Sequence, residues 1–150
     1  MSCIDKTLKI YLAGKMNGFT YEQMNDWRIS LTNRLNIAAQ NAGYKLIIIN
    51  PVMYYNFEEK KYQSEKEVED FDIFHATTSD IVIVNLHGLT TSDGSKYEIH
   101  DCNYHNKIPV IAFGERKLYE DLHPWTKNDI TRVEENTQDV VTYIKDFYMI

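Results

Sequence analysis

"DIVIVNLHGLTTSDGSKYEIH" (Asp80–His100) joins an apolar run to a turn rich in hydroxyls, acids and glycine, and its reading decides the fold. Ile81–Val84 is apolar without alternation, as a strand must be when both faces of its sheet are covered. Helix signals follow from about Ser95 to Asn106. Outward from this unit the same succession recurs. "LKIYLAG" (Leu8–Gly14), "YKLIIINP" (Tyr44–Pro51) and "IPVIAFG" (Ile108–Gly114) read as buried strands. Between the first two, Thr20 and Gln23 have capping-box spacing, Trp27, Leu31, Leu35 and Ala38 form one helical face, and Gly43 ends the helix. Ser64 and Glu67 repeat the cap spacing, with Val68, Phe71, Phe74 and His75 marking a second face. Val52–Gln63 shows no clean period and reads as loop or broken helix. Val140, Val141, Ile144 and Phe147 predict a closing helix.

Strands alternating with helices make the sheet parallel, with right-handed crossovers. The expectation is one three-layer α/β domain over residues 1–150, Rossmann-like or flavodoxin-like, with four or five parallel strands. Composition agrees: 150 residues, 43% hydrophobic and 25% charged, suit a single globular core. The net charge of −6 disfavours an electrostatic grip on a nucleic-acid polymer or an acidic membrane surface. Apolar runs of about five or six residues are far too short to span a membrane. Two cysteines, Cys3 and Cys102, and the lack of a signal peptide suggest a reducing cytoplasm. Eleven tyrosines are many for this length, and several are candidates for lining a pocket for a flat ligand.

In a sheet of this kind the ligand crevice lies beyond the carboxyl ends of the strands. That rule brings Gly14, Asn50, Asp93 and Glu98 to one rim. Two readings of Glu98 stand open. Ser95 and Glu98 have N-cap and N3 spacing, so Glu98 could simply close a capping box. Alternatively, a carboxylate one turn into a helix at the strand rim, behind the glycine of "SDG", is well placed for a bound small molecule. Asp72, between Phe71 and Phe74, is either on a solvated helix face or aimed into the crevice, where burial would let it act as an acid. His100, Asp101, Cys102 and His105 lack a further ligand at useful spacing, so no metal site is expected. "GKMNG" is too short for a phosphate loop, "LAG" is no dinucleotide fingerprint, and Cys102 reads as core.

As an ordered set, "IYLAG" (Ile10–Gly14), "NP" (Asn50–Pro51), Asp72 followed by "SDIVIV" (Ser79–Val84), "DGSKYE" (Asp93–Glu98) and "KIPVIAFG" (Lys107–Gly114) resembles the nucleoside 2-deoxyribosyltransferases and the related nucleotide N-glycosidases. The resemblance implies a retaining double displacement at C1′ of a 2′-deoxyribonucleoside. Glu98 would be the nucleophile that forms a covalent glycosyl-enzyme, and Asp72 the acid that protonates the departing base and deprotonates the incoming one. Tyr11 would orient the nucleophile. Gly14, Asn17, Ser92, Asp93, Gly94 and Asn128 would bind substrate, and no metal or redox cofactor is implied. The expected ligands are a nucleoside or nucleotide and a free nucleobase.

The departure from the family is at Ser92, where the transferases carry a sugar-binding aspartate; here the acid comes one place later, at Asp93. Serine at that position resembles the monophosphate N-glycosidases, where it helps bind the 5′-phosphate. Transfer to a second base, hydrolysis of 5′-monophosphates and a non-catalytic nucleotide-binding module are therefore the three alternatives. The resemblance further implies a homo-oligomer whose site lies at a subunit interface, with Asn128 and Phe147–Ile150 as the segments a neighbour would supply.

Overall fold

The computed structural model of the chain describes residues 6–55 and 60–150. Cys3 and the stretch 56–59 of the aperiodic segment lie outside them. Five parallel strands form one sheet in the order β2-β1-β3-β4-β5: β1 (Thr7–Ala13), β2 (Lys45–Ile49), β3 (Ile81–Asn85), β4 (Val110–Phe113) and β5 (Arg132–Glu134). This is the flavodoxin-like order, in which the chain reverses direction across the sheet at the β1/β3 boundary. Ile10 pairs with Ile48 on one side and Ile81 on the other, so β1 is central and enclosed.

The alternation within each apolar strand divides the core into two layers. Ile10, Leu12, Ile81, Ile83 and Ile111 face α1 (Tyr21–Ala42) and α6 (Thr137–Tyr148), which contribute Leu31, Leu35, Val140 and Ile144. Tyr11, Ala13, Val82, Val84 and Ala112 face the opposite way, against Ala76 of α2 (Glu65–Thr77) and Ile99 of α3 (Asp93–His100). Each fully buried aliphatic side chain contributes about 1.5–3 kcal/mol. α1 starts at a complete capping box, Thr20 with Gln23, and stops at Gly43 in the left-handed conformation (φ 76°). Both ends are as the sequence predicts.

Four expectations need correction. β2 is apolar throughout but lies at the sheet edge, so Lys45 and Ile47 are exposed. In α2 Phe71 and Phe74 point outward, and the inward face runs through Asp72 and Ala76, of which only Ala76 is fully buried. In α6 Phe147 is likewise exposed, tilted against Tyr143. Helix α3 begins at Asp93 with Ser92 as N-cap, so Glu98 lies beyond the first turn and Ser95 is not the cap. The aperiodic stretch contains a short 3-10 turn, Pro51–Met53. Short α4 (Arg116–Glu120), α5 (Pro124–Lys127) and β5 were not legible as separate elements, being too brief to show a period.

Candidate active site

The shift in the start of α3 removes the capping role for Glu98. Ser92 makes no side-chain cap to the backbone, and its hydroxyl instead donates to Ser95 Oγ at 2.8 Å. Glu98 points back toward the sheet. Part of its side chain reaches the crevice surface, while Oε2 is sealed from solvent and has no hydrogen-bond partner. Tyr11, fully buried on β1, presents its hydroxyl to this carboxyl without a fully formed hydrogen bond. Two polar groups that are buried and unsatisfied in the free protein are costly, about 1–3 kcal/mol each. Sites that keep such groups are those where a ligand or reaction completes them.

Asp72 enters from α2. Its Oδ1 accepts a 2.6 Å hydrogen bond from the Tyr55 hydroxyl, on the chain leaving β2. Asn50 sets the direction of that chain: its side-chain carbonyl accepts from the Val52 amide at 3.0 Å, and its amide donates to Asn25 at 2.9 Å. Asn50 is thus a turn-forming residue at the rim and is not part of the crevice lining.

The crevice has a volume of about 810 Å³. The loop from Gly14 to Phe19 closes one side, Val68 and Asp72 of α2 a second, and the turn Thr91–Ser95 with Glu98 a third. Gly14, Asn17, Ser92, Asp93, Gly94, Asp72 and Glu98 all line it, with Tyr11 beneath. Asp93 contributes mainly backbone there, since its side chain is 90% exposed and pairs with Lys96 at 3.4 Å. Gly94 is unhindered: an added Cβ would meet nothing within 4 Å, so the fold itself does not demand glycine. Asn128 is exposed after α5 and lies outside the lining. Ile150 sits at the far end of the sheet, its carbonyl accepting from the Tyr44 hydroxyl at 2.8 Å.

Burial governs the electrostatics. Glu98 is pushed from the usual carboxylate range up to about 8, chiefly by loss of solvation and also by the Asp72 charge, with Tyr11 and Arg28 opposing the rise. Asp72 is also raised, chiefly by burial, with the Tyr55 hydrogen bond and Arg28 pulling it down. Tyr11 is held well above its ordinary value by burial and by the anions beside it. Both carboxyls therefore hold a proton more tightly than an exposed carboxylate does.

Three contributors escape the sequence analysis. Tyr55 comes from the aperiodic segment and carries no pattern. Lys15, in the crevice loop, donates to Thr91 Oγ1 at 2.8 Å. Arg28 is fully buried beneath the floor, and its signal is present in the sequence: it stands on the ladder Met24, Arg28, Leu31, Leu35, Ala38, whose other members are buried and apolar. His105 Nε2 lies 3.8 Å from Asp101, and the His100 and His105 ring centroids are 5.3 Å apart. His100 Nδ1 lies 3.0 Å from Asp129 and Cys102 is buried in the core. Among the described residues no group of three or more His, Cys, Asp or Glu side chains could hold a metal ion.

No family model matches the chain, and no curated protein matches it. Solved structures do. A conserved protein from Enterococcus faecalis V583 superposes with a TM-score of 0.73 at 21% identity, over 93% of this chain and 98% of that one. A 2-deoxyribosyltransferase from Bacillus psychrosaccharolyticus gives 0.58 at 20% identity, covering 90% of this chain and 91% of that one. A de novo designed Rossmann 2x3 fold protein gives 0.50 at 14% identity, over 96% and 89% of the two chains. At these identities the likeness is one of fold: an all-parallel, Rossmann-like α/β sheet. Among the described residues no helix is long and apolar enough to cross a membrane.

Proposed function

We propose that residues 1–150 form a single nucleoside 2-deoxyribosyltransferase-like domain that cleaves the N-glycosidic bond of 2′-deoxyribonucleosides and transfers the sugar to another base. The observation that carries this reading is the Glu98 carboxyl, lining the crevice with its Oε2 sealed and unpartnered above Tyr11, with Asp72 on the same cavity. A Glu98 oxygen attacks C1′ as the C1′–N bond breaks, and the departing base takes its proton from Asp72. Positive charge developing on the sugar stabilises the ionised Glu98, while the raised affinity of Asp72 for a proton suits it to supply one to the base. A second base, deprotonated by Asp72, then attacks C1′, breaks the ester and releases Glu98. Two displacements retain the anomeric configuration. This chemistry calls on no metal or redox cofactor.

Gly14, Asn17, Ser92, Asp93 and Gly94 are proposed to bind substrate. Asn128 and Phe147–Ile150 do not line this chain's own crevice, and the proposal includes a homo-oligomer in which they serve a neighbour's. One observation favours a second reading, hydrolysis of nucleoside 5′-monophosphates. Lys15 Nζ donates to Thr91 Oγ1 at 2.8 Å, and Lys15, Thr91 and Ser92 all line the crevice, where a cation and hydroxyls suit a phosphate.

The test is incubation with four deoxynucleosides and, separately, their 5′-monophosphates, with and without a different free base, followed by chromatography. Transfer to the added base, abolished in Glu98→Ala, supports the transferase. Base release from monophosphates alone supports the hydrolase. No release from any substrate, with a nucleotide still raising Tm, would replace both with a non-catalytic binding module.

A further inference from the structure

Arg28 is the only fully buried cation among the described residues. Its guanidinium carbon lies over Trp27, 4.5 Å from the ring centroid, and each of its nitrogens donates to backbone: Nε to Leu12 O at 3.3 Å, one terminal nitrogen to Met24 O at 2.5 Å, the other to Gly14 O at 3.2 Å. These bonds give each guanidinium nitrogen a backbone partner but do not neutralise the charge, and among the described residues no carboxylate forms an ion pair with it. The ionisable groups whose charge it feels are Tyr11, Glu98 and Asp72. A side chain needed only to fill this volume would be better supplied by Met or Leu, because an unpaired buried charge is strongly unfavourable.

The arginine also fits the crevice loop closely. A Cβ on Gly14 would come within 2.9 Å of the Trp27 ring and 3.3 Å of the guanidinium, so the backbone turn is seated directly on this pair. Leu12 and Gly14 bracket the end of β1, where the strand gives way to the loop that walls the cavity.

We propose that Arg28 is a positioning residue of this site: it clamps the Gly14 turn through the Leu12 and Gly14 carbonyls, and its buried positive charge favours the ionised form of Glu98 against the burial that opposes it. The inference rests on Glu98 as the working group of the crevice. Glu98 is faced by Tyr11 from β1, Arg28 from α1, Asp72 from α2, Tyr55 from the chain after β2 and Cys102 from the π-helical segment Asp101–His105. β3 and the Leu89–Thr91 turn bring no titratable side chain. Arg28 is the one cation in this set, so its removal acts in a single direction.

The experiment follows the Glu98 carboxyl by 13C NMR in protein labelled at the glutamate side-chain carboxyl, with Glu98→Gln assigning the signal. Arg28→Gln removes the charge but retains donors for the carbonyls. It is expected to raise the Glu98 titration midpoint by about one pH unit. Arg28→Lys keeps the charge but lacks the planar fork. It is expected to leave the midpoint near its native value while amide exchange at Lys15–Phe19 becomes several-fold faster. A folded Arg28→Gln with an unmoved midpoint overturns the proposal. If Arg28→Gln does not fold, Arg28→Lys decides alone: a midpoint that rises by as much as a full unit, or unchanged exchange in the loop, overturns it. No turnover is needed, so this outcome is separate from the base-release test of the reaction itself.

Discussion

Glu98→Gln should stabilise the protein, and increasingly so as pH rises. The folded-state pKa of Glu98, about 8, lies above its ordinary value of 4.5. Ionisation therefore favours the unfolded chain. The stability associated with the neutral carboxyl is complete below about pH 4.5 and is lost progressively until the folded group itself ionises near pH 8. Integrating this linkage for one group gives a loss of about 4 kcal/mol between pH 5 and pH 9. Water in the crevice solvates the accessible part of the side chain and relaxes some of this, so the net difference should be at least about 2 kcal/mol. Glutamine has nearly the same shape and does not ionise in this range. The difference in unfolding free energy between Glu98→Gln and the native chain should thus widen by that amount from pH 5 to pH 9. Urea unfolding followed by Trp fluorescence at each pH measures it, Trp27 being packed against the core. Subtracting one protein from the other cancels groups that titrate alike in both. A difference that stays flat within about 0.5 kcal/mol, or narrows with pH, would refute the burial of an ionisable Glu98.

Other substitutions separate folding from site chemistry. Tyr11→Phe removes a hydroxyl that has no partner in the free protein, so stability should be unchanged or slightly higher, while base release slows; thermal unfolding and turnover measured together check it. Tyr55→Phe deletes the 2.6 Å hydrogen bond to Asp72 and should raise the Asp72 pKa, visible by carboxyl NMR, at a cost of about 1 kcal/mol in stability. Gly94→Ala meets no steric obstacle and lies within helix α3, so it should stabilise by about 0.5–1 kcal/mol; weakened ligand binding, read by titration calorimetry, would show that a ligand approaches this backbone closely. Leu35→Ala, fully buried between α1 and the sheet, should cost about 2–5 kcal/mol in unfolding free energy without altering the Glu98 titration.

The layered α/β fold was legible because its signals are local. Unbroken apolar runs at β1, β3 and β4 report burial on both faces, and Thr20 with Gln23, then Gly43, mark both ends of α1 through bonds spanning only a few residues. The same logic failed where local pattern and tertiary placement diverge. "KLIII" reads as enclosed, yet its place at the sheet edge exposes Ile47. Phe71 and Phe74 mark an apolar stripe on α2, yet the helix turns Asp72 inward with Ala76 because Tyr55 and the crevice lie on that side.

For the site, the sequence by itself determined which residues reach the carboxyl ends of the strands, since strand polarity and chain order dictate that for Gly14, Ser92, Asp93, Gly94 and Glu98. Only the tertiary structure decided what those residues become. Glu98 and Ser95 have the spacing of a capping box, and it took the actual start of α3 at Asp93 to release Glu98 from that role. Its unusual ionisation arises from Tyr11, Asp72 and Arg28, delivered by three separate elements. Arg28 stands on a visible apolar ladder, but its partners are backbone carbonyls at Leu12 and Gly14, distant in sequence and anonymous in type. Burial and charge proximity are sums over neighbours that only folding brings together, and that is why the fold could be read along the chain whereas the chemistry of its crevice could not.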